Sequence, residues 1–191
     1  MAEFPPLFLL RHGQTEWNAI RRIQGQMESQ LTEMGKEHAA RQGDILARID
    51  LPEEIKAWCS PQVRTRQTAE IALGVVGLAP VFDDRLKEVS LGSWEGRMWE
   101  DVLTDKASGL RGASIFQACL MSDGESEADM RARIGDFVAG LSGPTLVVSH
   151  GIALTFLRGI VLGSSFNEMD AMVREQGVVL ELRDRREVTH R

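Results

Sequence analysis

The stretch that decides the fold is Leu7-Phe8-Leu9-Leu10-Arg11-His12-Gly13, near the start of the chain. Its four apolar residues predict a short buried strand, and an arginine, a histidine and a glycine follow where that strand would end. Ligands of α/β proteins bind at the carboxyl ends of such strands. A histidine there can act as a nucleophile or a base, and an arginine can hold an anion through two parallel hydrogen bonds. The stretch therefore predicts a strand that leads into a site for phosphate chemistry.

The rest of the chain alternates between segments of strand length and helix length. Further apolar runs that predict strands lie at 57–59, 145–148 and 178–182, with a short edge piece at 81–82. Segments that predict helices lie at 31–49, 61–73, 130–141 and 151–162. This alternation predicts an α/β fold with a mostly parallel central sheet, and a chain of 191 residues suits a single domain, 1–191. Residues from about 90 to 124 depart from the alternation, so we expect there a helical insert that covers the site.

The composition argues against several classes of function. The net charge of −6 at pH 7 disfavours nucleic acid as a partner, because phosphate backbones attract a basic surface. Two cysteines, Cys59 and Cys119, are too few for a disulfide framework and are expected to be small core residues. No apolar run approaches the roughly 20 residues of a membrane span, and no signal peptide is recognisable. We expect a cytoplasmic protein with no membrane partner, and the mixed charges at 183–187 predict a solvated end.

Polar residues that could bind a ligand or take part in catalysis follow three of the predicted strands. His12 follows the first strand, Arg64 lies one helical turn after Ser60 at the end of the second, and His150-Gly151 follows the third. Because parallel strands end at the same edge of a sheet, we expect these side chains to meet there. The convergence of three separate segments is a stronger signal than any one of them.

These residue types suit the transfer of a phosphoryl group, which carries negative charge on three oxygens. The groups that could donate to those oxygens lie near strand ends, and they are Arg11, Asn18, Arg64, His150 and the helix N-termini near Pro61 and Gly151. The neutral imidazole of His12 can attack phosphorus and form a phosphohistidine. Glu88 is the best candidate for the acid that protonates the leaving alkoxide.

The same motifs resemble those of the histidine phosphatase superfamily, also called the phosphoglycerate mutase-like family. The resemblance begins with Leu10-Arg11-His12-Gly13-Gln14-Thr15-Glu16-Trp17-Asn18 and ends with Val147-Val148-Ser149-His150-Gly151. The motifs between these two follow the order of the family, and they lie at 24–25, 31–35, 60–69, 86–88, 92–96 and 123–126. The order and number of the motifs make the resemblance specific.

The resemblance implies a three-layer αβα sandwich and a role for each candidate residue. His12 would be the phosphorylated nucleophile, and Glu88 would be the proton donor to the leaving group and later the base for water. The residues that would bind the phosphoryl group are Arg11, Asn18, Arg64 and His150. The resemblance implies no metal and no cofactor, and a small phosphorylated metabolite as the partner.

Four hypotheses about function remain open at this point. Two features resemble the phosphatase branch rather than the longer mutases. They are the sequence Val89-Ser90-Leu91-Gly92-Ser93-Trp94-Glu95-Gly96 and the absence of tyrosine. We therefore expect a metal-independent phosphomonoesterase, with intramolecular phosphoryl transfer of the phosphoglycerate mutase type as the alternative. A non-catalytic module that binds a phosphorylated ligand is the second alternative. Zinc bound by His12 and His150 is a third, and no close spacing of ligands supports it.

Overall fold

The protein is described by a computed structural model that covers residues 4–105 and 109–191. Within these residues six strands form one sheet, in the order β3-β2-β4-β1-β5-β6. The strands are β1 (Leu7–Arg11), β2 (Lys56–Cys59), β3 (Val81–Phe82), β4 (Thr145–Ser149), β5 (Val179–Arg183) and β6 (Arg186–His190). The pairs β3-β2, β2-β4 and β4-β1 run parallel, whereas β5 and β6 add an antiparallel edge. The mostly parallel sheet expected from the sequence is confirmed.

Most of the described helices begin after a serine or threonine whose side chain caps the first turn. The helices are α1 (Glu16–Ala19), α2 (Glu33–Arg48), α3 (Val63–Gly74), α4 (Trp99–Thr104), α5 (Ile115–Leu120), α6 (Glu127–Ala139), α7 (Gly151–Leu162) and α8 (Phe166–Ala171). The hydroxyl of Thr32 caps α2 by accepting from the backbone of Gly35. The helix α3 begins two residues later than the predicted segment 61–73, because Gln62 takes the N-cap position and the Ser60 hydroxyl bonds to His150 at 2.8 Å.

The side chains of β1 alternate between two cores, one on each face of the sheet. Phe8 and Leu10 join the core beneath α2 and α3, and Leu7 and Leu9 join the larger core beneath α6 and α7. All four side chains are buried, and burying each one stabilises the fold by about 1.5–3 kcal/mol. Helices on both faces of the sheet make the three-layer αβα arrangement, so this prediction is confirmed as well.

The described part of the segment from 90 to 124 contains short helices. A 3-10 turn at Gly92–Trp94 comes first, and α4 and α5 follow, with residues 106–108 outside the described part. Phe116 of α5 is fully buried, and its ring centroid lies 5.7 Å from that of Phe156 in α7. The segment is thus packed onto the larger core, next to the carboxyl edge of the sheet.

The end of the chain is exposed at 183–186, as its mixed charges predict, and it also forms a hairpin. Asp184 and Arg185 have φ angles of 50° and 58°, which turn the chain back on itself between β5 and β6. Two consecutive residues with positive φ make the tight turn that suits a two-residue hairpin. The charged residues stay in solvent as predicted, and what their charge does not indicate is the strand β6, which is fixed by pairing with β5. None of the described helices has the length and apolarity needed to cross a membrane.

Candidate active site

His12 lies directly after β1, and its side chain is buried but reaches a cavity at the carboxyl edge of the sheet. Its Nδ1 is 2.7 Å from the backbone oxygen of Gly13. Because a carbonyl oxygen can only accept, Nδ1 carries the ring proton and Nε2 keeps a free lone pair. Burial and the positive charges of Arg64 and Arg11 hold the pKa of His12 well below its ordinary value. The imidazole is therefore neutral and nucleophilic at pH 7.

Arg11, the last residue of β1, lies flat against the first turn of α7. A Cβ built on Gly151 would lie 3.5 Å from its guanidinium carbon, an ordinary van der Waals distance. Its Nη1 donates to the backbone oxygen of Arg174, while Nε is buried without a partner among the described residues. Burial lowers the pKa of Arg11, and the charge of Glu88 opposes this shift. The unpaired N–H is a donor that an anion in the cavity could use.

Arg64, the second residue of α3, is buried and held by two backbone oxygens. Nη1 donates to Met27 and Nη2 donates to Gly25, each at 2.8 Å. Its Nε lies 3.1 Å from Nδ1 of His150. The side chain lines the same cavity as His12 and Arg11. Fixing a guanidinium in this way removes most of its freedom before an anion binds.

His150, the N-cap residue of α7, lies behind Arg64 and has no exposed surface. Because its Nδ1 accepts from Arg64, Nε2 carries the proton and donates to the hydroxyl of Ser60 at 2.8 Å. Burial and the charge of Arg64 hold the pKa of His150 well below its ordinary value. The sequence predicts an N–H directed at a phosphate, whereas in this structure both ring nitrogens are bonded to protein groups. A direct contact of His150 with phosphate stays a prediction.

Asn18 reaches the cavity from the short helix α1, where it forms a capping box with Thr15. The backbone N–H of Thr15 donates to Oδ1 of Asn18 at 3.2 Å. This bond orients the amide group by its oxygen, so the NH₂ end is the part able to donate to a ligand.

Glu88 places its carboxylate at the N-terminus of α7. It accepts from the backbone N–H groups of Ile152 at 3.2 Å, Ala153 at 3.0 Å and Val89 at 3.0 Å. The sequence predicts that the donors of this helix end bind the phosphate, and the structure corrects that prediction, because the carboxylate of Glu88 occupies two of them. A contact between Gly151 itself and phosphate stays a prediction. Glu88 also lines the cavity, which places a carboxyl group opposite the cations.

The cavity that these residues share has a volume of about 260 Å³. Six of the seven predicted site residues line it, and they are Arg11, His12, Asn18, Arg64, Glu88 and Gly151. The insert contributes Trp99, Ile115 and Cys119 to the wall. Trp94, from the 3-10 turn of the same segment, packs against the larger core. That 90–124 as a whole covers the site stays a prediction.

Several residues of the site escaped the sequence analysis. Arg22, Gln24 and Arg174 line the cavity, and Gln62 and Gln176 bond to the segments that carry Glu88 and His12. Gln24 and Gln62 stand in the motifs 24–25 and 60–69 without an assigned contact, and nothing in the local sequence marks the other three. Arg22 and Gln24, which follow the Asn18 segment closely, are the pair that proximity to the first motif could have suggested.

The described residues contain no group of three His, Cys, Asp or Glu side chains placed to hold a metal ion. The positive charge at the cavity comes from arginine side chains that the fold brings together. The arrangement offers a neutral imidazole, several guanidinium donors and one carboxyl group around a space of small-molecule size. This combination suits the binding and transfer of a phosphoryl group.

Known proteins resemble this chain in sequence and in fold. A curated relative from Salmonella arizonae, named "Probable phosphoglycerate mutase GpmB", is 37% identical over 164 residues, which cover 82% of this chain and 74% of the relative. An Escherichia coli structure provisionally named alpha-ribazole-5'-P phosphatase matches with a TM-score of 0.80 and 25% identity, over 98% of this chain and 95% of that chain. TTHB049 from Thermus thermophilus matches with a TM-score of 0.71 and 30% identity, over 96% of each chain.

The family expected from the motifs is confirmed over nearly the whole chain. The model of the histidine phosphatase superfamily (branch 1) matches residues 7–188, from the first residue of β1 to the middle of β6. The solved relatives extend the agreement to the fold. This chain belongs to the histidine phosphatase superfamily.

Proposed function

We propose that this enzyme is a metal-independent phosphomonoesterase that hydrolyses a small phosphorylated metabolite through a phosphohistidine on His12. The observation that carries the proposal is the hydrogen bond from Nδ1 of His12 to the Gly13 carbonyl, which leaves a neutral Nε2 beside Arg11 and Arg64. A neutral imidazole among cations is a nucleophile placed next to groups that bind the oxygens it must approach.

In the first step the guanidinium groups of Arg11 and Arg64 and the amide of Asn18 bind the phosphoryl oxygens. Nε2 of His12 attacks phosphorus, the bond to the ester oxygen breaks, and the electron pair of that bond leaves with the oxygen. Glu88 in its protonated form gives its proton to this oxygen, so that an alcohol departs.

In the second step water attacks the phosphorus of the phosphohistidine. Glu88, now a carboxylate, takes a proton from the water, and the bond between phosphorus and Nε2 breaks. Inorganic phosphate leaves, and His12 returns to its neutral form. The same carboxyl group serves as acid and then as base, which the position of Glu88 in the cavity allows.

A mutase that moves a phosphoryl group within one molecule is the second candidate. The name of the Salmonella relative favours it, at 37% identity. The lengths favour hydrolysis, because the match covers 74% of that relative, whereas it covers 95% of the structure provisionally named a phosphatase. A mutase must keep water from its phosphohistidine, and more chain over the cavity would help it to do so.

A cytoplasmic location stays a prediction from composition.

The test measures phosphate release from a panel of phosphate esters with a chelator present. We expect the wild-type chain to release phosphate, and His12→Ala to lose about 1000-fold or more of the rate. Acid-labile phosphate should be trapped on wild-type protein and not on the variant. Full activity in His12→Ala, loss of activity with chelator, or binding of esters without turnover would each contradict the proposal. Isomerisation of 3-phosphoglycerate with negligible phosphate release would favour the mutase.

A further inference from the structure

Residues 87–91, which carry Glu88, lie between two 3-10 turns and outside the helices and strands. Their position therefore depends on side chains that bond to their backbone, and not on a strand ladder. Gln62 accepts from the N–H of Glu88 at 2.9 Å, and Gln26 donates to the Glu88 carbonyl oxygen at 3.2 Å. Further support comes from α6 and from the motif at 123–126, to which the proposed function assigns no role.

Arg133, in the middle of α6, holds the chain on the amino side of Glu88. Its Nη1 donates to the backbone oxygens of Arg85 at 2.7 Å and Lys87 at 2.9 Å. Its Nε and Nη2 donate to the two carboxylate oxygens of Glu125, each at 2.8 Å. Two parallel hydrogen bonds of this kind fix the plane of a guanidinium group as well as its position. One side chain thereby ties the chain before Glu88 to a helix that packs on the larger core.

Glu125 holds the chain on the carboxyl side of Glu88. Its Oε2 accepts from the backbone N–H of Ser90, and its own backbone N–H donates to the oxygen of Ser90, each at 2.9 Å. A Cβ on Gly124 would lie 2.0 Å from that oxygen, so a glycine is needed for this close approach. The ion pair of Arg133 and Glu125 therefore fixes the chain on both sides of Glu88, and we call this pair the clamp.

The clamp is largely shielded from water and lies behind the site. The side chains of Arg133 and Glu125 are 17% and 21% exposed, so their attraction is less weakened by solvent than that of a surface pair. Neither residue lines the cavity. The guanidinium of Arg64, by contrast, is held by other backbone oxygens. Loss of the clamp should therefore disturb Glu88 more than it disturbs the groups that bind the phosphoryl oxygens.

We propose that Arg133 and Glu125 are positioning residues for proton transfer, because the clamp holds the carboxyl group of Glu88 at the N-terminus of α7 and at the cavity. This inference rests on the proposed function for the role of Glu88, and it adds the pair that keeps Glu88 in place. A displacement of a catalytic group by about 1 Å can cost about 100-fold in rate. The clamp acts on the reaction without contact with the substrate.

The test compares kcat/KM for glycerol 3-phosphate, whose alkoxide needs a proton, with kcat/KM for p-nitrophenyl phosphate, whose leaving group does not. We expect Arg133→Met to lower kcat/KM about 30- to 100-fold for the first ester and less than about 3-fold for the second. Arg133→Lys keeps the charge but cannot form the paired hydrogen bonds, so it should restore part of the loss. Arg131→Met is the matched control, because it breaks an ion pair on the same helix, with Glu127 at 2.7 Å, and should change neither value.

A second readout does not depend on turnover. The backbone N–H groups of Ile152 and Ala153 donate to Glu88, so their hydrogen exchange should be about 10-fold faster in Arg133→Met and unchanged in Arg131→Met. If the wild-type chain releases no phosphate from either ester, the proposed function fails. The exchange rates then still decide whether the clamp holds Glu88.

Equal losses for the two esters would show that Arg133 supports only the fold, and would overturn the inference. Unchanged kinetics, or unchanged exchange at Ile152 and Ala153, would overturn it too. If Arg133→Met does not fold, Glu125→Gln decides, because it removes the charge of the clamp and keeps an oxygen for the N–H of Ser90. A selective loss for glycerol 3-phosphate in Glu125→Gln supports the proposal, and an equal loss or no loss contradicts it.

Discussion

The Nε of Arg64 lies 3.1 Å from Nδ1 of His150. This contact joins a cation that lines the cavity to a histidine that is fully buried behind it. The N–H of a guanidinium can only donate, so His150 must be neutral at Nδ1 to accept it. The second ring nitrogen is bonded to Ser60, which fixes the plane of the ring. In this state His150 orients the guanidinium of Arg64.

Removing the nitrogen atoms of His150 should lower activity while the fold persists. His150→Phe keeps a ring of similar size and deletes the acceptor for Arg64, so kcat/KM for a phosphate ester should fall about 10- to 100-fold, as expected for loss of a charged hydrogen bond. Ser60→Ala removes only the bond at the far side of the ring and should cost less than about 10-fold. Steady-state kinetics with circular dichroism as a folding control measure both. Unchanged kcat/KM in His150→Phe would contradict this role.

The buried histidines should make the protein less stable in mild acid. The pKa values of His12 and His150 are held well below the ordinary value of 6.5 in the folded chain. At pH values between the folded pKa and 6.5, the unfolded chain binds more protons than the folded chain. The free energy of unfolding therefore rises with pH in this range and decreases as the pH falls. Each histidine should contribute about 1.4 kcal/mol per pH unit below 6.5.

Urea unfolding of the wild type and of His12→Gln between pH 7 and pH 5.5 checks this dependence. Carboxylates also titrate in acid, so the difference between the two slopes is the quantity that isolates His12. The variant should show the shallower slope. Parallel slopes would mean that His12 takes up a proton in the folded state as easily as in the unfolded state.

The sequence predicted the core of this site because the signal is local and the topology is simple. Apolar runs located β1, β2 and β4, and these three strands are neighbours in the sheet. Residues after neighbouring parallel strands end at one edge. His12 and Arg64 could therefore be placed together, with His150 close to both.

The sequence could not predict the contacts that depend on tertiary packing. Arg174 looks like many other polar residues, and Gln62 stands in the motif 60–69 with no contact that the sequence reveals. Their contacts appear only when α8 and the Glu88 segment are brought to the sheet edge. The donors at the start of α7 were misassigned for the same reason, since their partner Glu88 is distant in sequence. The hairpin of β5 and β6 was missed because its turn contains no glycine.

Gln62 should affect catalysis through the acid rather than through binding. Its Oε1 accepts from the backbone N–H of Glu88 at 2.9 Å, and its Nε2 donates to the carbonyl of Gly25 at 3.4 Å. Gln62→Met should lower kcat about 5- to 30-fold for glycerol 3-phosphate, whose alkoxide needs a proton, and less for p-nitrophenyl phosphate, whose leaving group does not. Gln67→Met is the matched control, because the half-buried Gln67 also accepts from a backbone N–H, that of Leu31, and not from Glu88. Equal losses for the two esters would argue against positioning of Glu88.

A glycine in the first turn of α2 should be needed for the loop that follows His12. A Cβ on Gly35 would lie 2.0 Å from the backbone oxygen of Gln14, and a Cβ on Gly13 would lie 2.1 Å from the oxygen of Gly35. The two backbones thus touch, and Gly35→Ala can be accommodated only if the loop moves. We expect it to lower the free energy of unfolding by about 1–3 kcal/mol and to reduce kcat/KM.

Gly74, the last residue of α3, provides the control for the same chemical change. Nothing lies within 4 Å of a Cβ built there, so Gly74→Ala should stabilise the protein by up to about 1 kcal/mol through its effect on the unfolded chain. Urea unfolding measures both variants, and kcat/KM should fall only for Gly35→Ala. A Gly35→Ala chain as stable and active as Gly74→Ala would show that the loop after His12 does not depend on close contact with α2.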